Sequence, residues 1–328
     1  MIEHGNETLG FFGIMIAFLG PFLQAAIRSG TPLLFATIGE IYTERSGNIN
    51  LGIEGLMLIG AVFGFMTSLY TGNPILGVIL GSISGGLISM IHAFLTVTLN
   101  VNQIVSGLSL VFFGTGVSAV IGTPLIGEIA PSFDVVRLGF LSDIPLIGEV
   151  FFQHNVLVYF SYVFVPLSWF FLYKTRTGLY IRTVGENPQT ADAVGLNVAK
   201  IRYAAIFVGG MMMGLAGAYL SLAYTPMWIE NMVSGRGWVA IALVIFSKWN
   251  PMIAIFGAYL FGGMDALGFA LQARGIQIST HLLGMLPYLF TIILLAGSMW
   301  RMRKKSMGQS VSMGPTALGK PFAKEQKS

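Results

Sequence analysis

Ten apolar runs divide this chain, and several of them are long enough to cross a lipid bilayer. They are residues 11–27, 31–42, 55–70, 75–99, 104–121, 156–173, 203–224, 239–247, 251–271 and 282–300. Only 10% of the residues are charged, whereas a soluble domain carries about 25%. Runs of about 20 apolar residues predict helices, because the strands of a membrane barrel alternate in polarity over about 10 residues. The predicted fold is therefore an all-α integral membrane protein, a polytopic bundle of roughly 8–10 transmembrane segments.

Basic residues indicate how the bundle is oriented. Beyond residue 300 the chain carries seven lysines and arginines against one acid, Glu325, which predicts a cytoplasmic C-terminus. Counting back places the loop 174–202 in the cytoplasm, the mostly acidic loop 122–154 outside, and the N-terminus in the cytoplasm. We predict a single transmembrane domain over residues 1–305. The Ser-, Gly-, Pro- and Lys-rich residues 306–328 predict a disordered basic cytoplasmic tail.

The basic loop 174–202 contains a miniature helix with its own start and stop signals. Asn187 can cap the helix, Pro188 suits the first helical position, and Gly195 can end it in a left-handed conformation. The helix between them has about 6 residues, too few to cross a bilayer or to persist alone. We therefore expect the loop to present this helix to a partner protein.

A polar interruption at residues 42–57 follows the second apolar run, which then resumes as LMLIGAVFGF. One interpretation is a turn between two spans. The other is a discontinuous helix whose unwound part lies at membrane depth, which is tolerated where it lines a water-filled path. The second is favoured because residues 31–42 alone measure about 18 Å, too short for a hydrocarbon core of about 30 Å. Asn48, Asn50 and Glu54 would then face a polar solute.

Two further polar sites interrupt the apolar runs. Asn102 and Gln103 form a second polar group, either a short loop or a lining for the inner part of the path. Asp265 is a lone acid within residues 251–271, and such acids usually face the interior of a bundle. It has two interpretations, a hydrogen bond to a neighbouring helix or contact with the solute.

Three pairs of glycines have the spacing that lets membrane helices approach closely. We interpret all three as ordinary helix packing; the pairs are Gly60 and Gly64, Gly81 and Gly85, and Gly210 and Gly214.

Catalytic motifs are not apparent. The four histidines are far apart, cysteine is absent, and no Gly-x-Ser-x-Gly sequence occurs, so neither a metal site nor a nucleophile is predicted. The sequence GPTALGKP imitates a phosphate-binding loop, but Pro321 replaces the Ser or Thr that would bind magnesium. Nothing visible in the sequence therefore binds or hydrolyses ATP, and the net charge of +4 follows membrane topology rather than nucleic-acid binding.

Three segments resemble permeases of the ribose/branched-chain-amino-acid class of ABC importers. They are TRTGLYIRTVGENPQTADAVGLNVAKIRYAAIFVGGMMMGLAGAYLSL, ERSGNINLGIEGLMLIGA, and GRGWVAIALVIFSKWNPMIAIFGAYLFGGMDALGFALQ with LLGMLPYLFTIILL. The last is similar to the nucleoside (guanosine-type) subgroup. The resemblance implies a permease in the bacterial plasma (inner) membrane without a cofactor of its own. A cytoplasmic ATPase would bind ATP and Mg. A second permease subunit, which the resemblance implies is a different chain, and an extracytoplasmic binding lipoprotein or periplasmic protein would complete the importer.

In that family the loop helix is the coupling helix that docks on the ATPase. The residues of this chain that match the motif are Gly185, Glu186, Asn187, Pro188, Ala191, Ala193 and Gly195. A neutral, polar nucleoside needs amides and hydroxyls along its path, which Asn48, Asn50, Asn102 and Gln103 can supply.

Two other kinds of transporter are the alternatives. A simple sugar such as ribose is a second possible cargo of the same family. An ion-coupled secondary transporter would need no ATPase, but that class tends to show inverted repeats and paired intramembrane charges, and neither is evident here.

Overall fold

The computed structural model describes residues 3–273, the pairs 285–286, 289–290, 292–293 and 296–297, and residues 314–322. Its helices are α1 (Glu3–Arg45), α2 (Ile53–Thr71), α3 (Pro74–Ala93), α4 (Gln103–Gly122), α5 (Ile147–Phe152), α6 (Val156–Lys174), α7 (Arg176–Glu186), α8 (Pro188–Ala193), α9 (Val198–Tyr219), α10 (Arg236–Phe246) and α11 (Pro251–Ala273). Two π-helical turns, Phe94–Thr98 and Leu220–Tyr224, extend α3 and α9. Within the described residues, six helices are long and apolar enough to cross a membrane. The predicted all-α membrane fold is confirmed, and the total of eight to ten segments stays a prediction.

The first helix is longer than predicted. The apolar runs 11–27 and 31–42 belong to one helix of 43 residues, α1. The prediction that residues 31–42 form a separate segment, too short to span the membrane, is therefore wrong. Pro32 lies inside this helix and has no N–H to donate to the carbonyl of Arg28. The Tyr219 hydroxyl donates to that carbonyl instead, at 3.0 Å. The helix can therefore continue through the proline, because a neighbouring helix satisfies the freed group.

The continuous α1 also changes the predicted position of the N-terminus. The cytoplasmic N-terminus was predicted by counting two spans before residue 45, and the structure has one helix there. If Arg45 lies at the cytoplasmic end, the same count now predicts that Glu3 lies on the opposite side of the membrane.

Helices α2, α3 and α9 pack with their backbones in contact. A Cβ atom added to Gly60 would overlap the backbone of Gly214, and one added to Gly81 would lie 2.6 Å from the carbonyl oxygen of Gly60. A Cβ at Gly85 would lie 2.5 Å from the carbonyl oxygen of Gly210. The glycine pairs of all three helices thus meet at one contact, and their prediction as packing sites is confirmed.

Helices α1 and α2 run in opposite directions. Gly39 of α1 lies against Gly209 of α9, whereas Arg28 contacts Tyr219, so α1 is antiparallel to α9. Helix α2 is parallel to α9, because its Gly64 lies against Ala218, four residues beyond the Gly214 that Gly60 contacts. Residues 46–52, here called the break, therefore form a turn between two antiparallel helices rather than an interruption of one helix.

The segment after α9 returns into the bundle. Trp228 lies against Gly122 at the end of α4, whereas Gly235 bonds to Glu54 in the first turn of α2. Helix α10 then continues for 11 residues, or about 16 Å. The run 239–247, which is too short to span, is thus part of a half-helix.

The loop between α4 and α6 has an ordered structure. Strands β1 (Val136–Arg137) and β2 (Gln153–His154) pair antiparallel, and the Ser68 hydroxyl of α2 donates to the carbonyl of Pro131 at 2.6 Å. These contacts attach the loop to the end of the bundle that is remote from α8.

Part of the C-terminal tail also differs from the prediction. Residues 314–322 form turns and hydrogen-bond to α7 and to the break, so they are not disordered as predicted. The carbonyls of Gly185 and Gly47 accept hydrogen bonds from the backbone of this segment. A polar segment can therefore be ordered here by contacts with other elements, without a hydrophobic core of its own. The remaining residues predicted to be disordered lie outside the described part of the chain.

Candidate functional site

Helix α8 has the termini that the sequence predicts. The Asn187 side chain caps it by accepting the Thr190 N–H at 3.0 Å, and Pro188 occupies the first position. At the other end Gly195 has φ +86°. The Leu196 N–H donates to the carbonyl of Ala191, and the Gly195 N–H to that of Asp192, which is the Schellman arrangement. The six-residue helix is thus closed at both ends by local hydrogen bonds.

The seven motif residues divide into a buried and an exposed set. Gly185, Pro188 and Ala191 are buried, and Ala191 packs with Val184 and Val198 beneath the helix. The exposed set is Glu186, Asn187, Ala193 and Gly195. The neighbouring Val194 is 70% exposed, so α8 presents a small apolar surface at its C-terminal end.

The C-terminal end of α7, which leads into α8, touches the start of the break directly. A Cβ atom on Gly185 would overlap the carbonyl oxygen of Arg45 and would lie 3.1 Å from the Gly47 nitrogen. Only glycine allows this approach. A displacement of the loop 174–202 therefore acts first on the start of the break.

The break itself is lined by polar groups inside the bundle. It begins at Ser46, whose carbonyl accepts from the Arg202 guanidinium. It reaches Glu40 of α1 at Asn50, whose N–H donates to the Glu40 carboxylate at 2.8 Å. Since Gly39 lies against Gly209, seven residues beyond Arg202, the break rises roughly 10 Å along α9. The predicted irregular backbone within the bundle is thus present, although it connects antiparallel helices.

Three predicted path residues meet at the break. The Asn48 amide donates to the Thr96 hydroxyl at 3.0 Å, and the Gln103 side chain accepts the Ile49 N–H at 2.8 Å. Asn50 accepts the Gly52 N–H at 2.9 Å. Among the described residues, Asn48 Oδ1, Asn50 Nδ2 and Gln103 Nε2 are buried without a hydrogen-bond partner. Such atoms are rare in folded proteins unless water or a ligand contacts them.

Glu54, predicted to face the solute, binds the start of α10. Both of its carboxylate oxygens accept backbone N–H groups at 2.7 Å, one from Gly235 and one from Gly237. These groups form the N-terminus of α10, where the helix dipole favours a negative charge. The 6% exposed side chain therefore holds the half-helix in place, and neither oxygen is left without a protein partner.

Asp265 and Asn102 also have protein partners. Asp265 accepts from the Ser29 hydroxyl at 3.0 Å and pairs with Arg236 at 3.5 Å, which agrees with the interhelical interpretation. Asn102 is exposed and caps α4 by accepting the N–H groups of Ile104 and Val105. It is part of the short loop rather than of the group of amides at the break.

Several buried polar residues around the break were not predicted from the sequence. Glu40 and Glu44 are four residues apart on α1 and almost fully buried, and Glu44 accepts the indole N–H of Trp249 at 2.5 Å. The His92 ring lies 2.9 Å from the Ser106 hydroxyl. Two acids four residues apart at the end of an apolar run lie on one face of a helix, and this spacing was the signal for a buried polar face of α1.

Comparison with known proteins supplies the family. A family model described as the permease component of the branched-chain amino acid transport system matches residues 22–296. A Haloferax volcanii protein described as a glucose ABC transporter permease is 40% identical over 81% of this chain and 82% of its own length. The nucleoside ABC transporter permease NupC of Lactococcus lactis is 39% identical over 81% of this chain and 88% of the relative.

A third relative covers nearly the whole chain. The guanosine ABC transporter permease NupQ of Bacillus subtilis is 31% identical over 95% of this chain and 99% of its own. The resemblance found in the sequence is confirmed. This chain belongs to the permease family of the branched-chain amino acid transport type, and it is a membrane-spanning subunit of an ABC transporter whose ATPase is a separate subunit.

Proposed function

We propose that this chain conducts a nucleoside through the membrane of an ATP-driven importer. The observation that carries the proposal is the buried group of uncharged amides at the break, Asn48, Asn50 and Gln103. Their free atoms comprise two donors and one acceptor, which suits a neutral solute with several polar atoms. The nucleoside and guanosine permeases among the relatives support the same class of cargo.

The ion pair between Arg236 and Asp265 supports a hydrated path. The Arg236 and Asp265 side chains are 17% and 29% exposed, although both belong to helices within the bundle. A charge at that depth avoids lipid and faces protein or water. We assign this pair to the wall of the path or to the contact with the second permease subunit, and the amides at the break to its inner part.

Helix α8 is the proposed docking element for the ATPase. The ATPase would bind ATP and Mg, close on ATP binding and displace α8, and the Gly185–Gly47 contact would pass that displacement to the break. The bundle would open outward to receive solute from an extracytoplasmic binding lipoprotein or periplasmic protein, and hydrolysis would reset it. This requires a bacterial inner-membrane location with α8 and the C-terminus in the cytoplasm.

A simple sugar is the second candidate cargo. A relative described as a glucose ABC transporter permease is 40% identical to this chain, and sugars also need uncharged hydrogen-bonding groups.

Uptake by the complete importer distinguishes the two cargoes. We expect labelled guanosine to accumulate in proteoliposomes that contain ATP, and we expect unlabelled nucleosides to compete with it. Excess ribose and glucose are the matched competitors and should have no effect. Accumulation of labelled glucose without that of guanosine would establish the second candidate and contradict the first.

A charge on the exposed face of α8 should uncouple the importer. We expect Val194→Asp to lower uptake and cargo-stimulated ATP hydrolysis by about tenfold, because burying an unpaired carboxylate in the docking contact costs at least about 1.4 kcal/mol. The side chain is 70% exposed, so the fold of the permease should be unchanged. ATP hydrolysis and uptake measured in the same proteoliposomes give the result.

Val194→Thr is the control, because it keeps the shape of the side chain and adds no charge. Parent-like coupling in the aspartate variant would show that α8 is not the docking element.

A further inference from the structure

Residues 314–322, here called the C-terminal segment, lie where the loop 174–202 meets the bundle. Gly314 lies against the ring of Trp249, which follows α10. Leu318 and Phe322 pack on different hydrophobic clusters. The segment thus joins parts of the chain that are more than 100 residues apart in sequence.

Two backbone hydrogen bonds attach the segment to both sides of the contact between α7 and the break. The Ala317 N–H donates to the carbonyl of Gly185 at 2.9 Å, and the Gly319 N–H donates to the carbonyl of Gly47 at 3.1 Å. Gly319 has φ +75°, a conformation that favours glycine. The segment therefore bridges the same two glycines through which α8 reaches the break.

Side chains of the segment make further contacts with the loop 174–202. The Thr316 hydroxyl and N–H both donate to one carboxylate oxygen of Glu186, at 2.8 and 3.2 Å. Phe322 packs against the hydrophobic cluster that Val184, Ala191 and Val198 form beneath α8. The segment thus holds the last residue of α7 and packs against the cluster that includes Ala191 of α8.

The segment also contributes to the environment of a buried arginine. Arg202 is 1% exposed. Its Nε donates to the carbonyl of Ser46 at 3.2 Å, and its Nη1 donates to that of Lys320 at 3.5 Å. In the described part of the chain, no carboxylate forms an ion pair with it, so backbone carbonyls must compensate its charge. Without the C-terminal segment, one of those carbonyls would be lost and the base of the break would open to water.

We infer that the C-terminal segment is a positioning element that fixes the α7–α8 junction to the break, so that displacement of α8 moves the polar group at the break. This inference rests on the proposed docking role of α8. A short helix on a loop transmits displacement only if its base is attached firmly, and the segment supplies attachments to Gly185, Glu186 and Gly47 together.

Truncation of the complete importer tests the inference. We expect deletion of residues 314–328 to lower the amount of cargo transported per ATP hydrolysed by about three- to tenfold, with basal ATP hydrolysis retained. Deletion of residues 323–328 alone is the matched control and should leave the ratio unchanged. Uptake and hydrolysis are measured in the same proteoliposomes, with labelled guanosine as the probe.

Point variants test the inference if the truncated chain does not assemble. Thr316→Val removes the hydroxyl bond to Glu186 at nearly constant volume and should lower the ratio, whereas Thr316→Ser keeps the hydroxyl and should restore it.

If the truncated importer does assemble, adding a synthetic peptide of residues 314–322 to it should restore part of the ratio.

A ratio that equals the parent value in the truncated chain and in Thr316→Val would overturn the inference. So would uptake and hydrolysis that fall together in proportion to the amount of assembled importer, because that pattern describes a merely structural segment. The Val194→Asp variant separates this failure from failure of the proposed function. If Val194→Asp uncouples and the deletion does not, the docking role stands without a role for the segment.

Discussion

Replacement of Gly214 by valine is expected to abolish folding of the bundle. Gly214 lies between two helices, because a Cβ atom there would meet the carbonyl oxygen of Ser82 in α3 at 2.9 Å and the Cα atom of Gly85 at 3.1 Å. On its other side lies Gly60 of α2. The neighbours are backbone atoms, which cannot move aside as a side chain would. Overpacking in a well-packed core costs about 1–3 kcal/mol for added methylene groups, and valine adds bulk in two directions.

Gly214→Ala should give a smaller effect of the same sign. Alanine favours a helix over glycine by about 0.8–1 kcal/mol, but its Cβ would still contact the backbone of α3. The measurement is the temperature at which the detergent-solubilised chain loses its monodisperse peak in size-exclusion chromatography.

Gly116→Ala in α4 is the matched control, since a Cβ there has no atom within 4 Å. We expect its melting temperature to equal or exceed that of the parent. Equal melting of the alanine variants at positions 214 and 116 would show that the α2–α3–α9 contact is looser than the structure has it.

Local signals in the sequence predicted local structure well. The cap at Asn187, the proline at position 188 and the left-handed glycine at position 195 act within one helical turn, so their residue types suffice to define α8. The glycine pairs were recognised for the same reason, because their spacing places both members on one helix face. Which faces meet could not be predicted, since this depends on helix order.

Features that depend on a distant partner were predicted less well. The second apolar run was predicted to be separate from the first, whereas both belong to α1, in which the Arg28 carbonyl that Pro32 leaves free accepts from Tyr219, 191 residues away. The buried Arg202 guanidinium donates to the carbonyl of Lys320, 118 residues away, and neither residue indicates this contact on its own. The C-terminal segment appeared disordered because its composition is polar, whereas its folding depends on carbonyls that other elements provide.

Glu54 has two backbone partners that the sequence did not predict. The polar sequence around it predicted a solute contact, yet the acceptor sites of its carboxylate face two amides of α10. An 11-residue helix that starts inside a membrane leaves its first N–H groups without water. A buried carboxylate satisfies those groups and complements the helix dipole. The carboxylate thus joins the start of α2 to the end of the returning residues 225–235 and to the first turn of α10.

Glu54→Ala is expected to unseat α10 and to abolish uptake. Two buried N–H groups would lose their acceptor, at about 1–3 kcal/mol each, and Arg236 next to them would lose a nearby negative charge. Glu54→Gln should give an intermediate loss, since an amide oxygen can accept one N–H while its NH₂ group faces the other. Melting temperature and guanosine uptake should fall in the order Glu, Gln, Ala. The control is Glu128→Ala at an exposed position of the loop between α4 and α6, which should match the parent. If Glu54→Ala melts and transports like this control, the half-helix is held by its apolar contacts with α1 and α11 and not by the carboxylate.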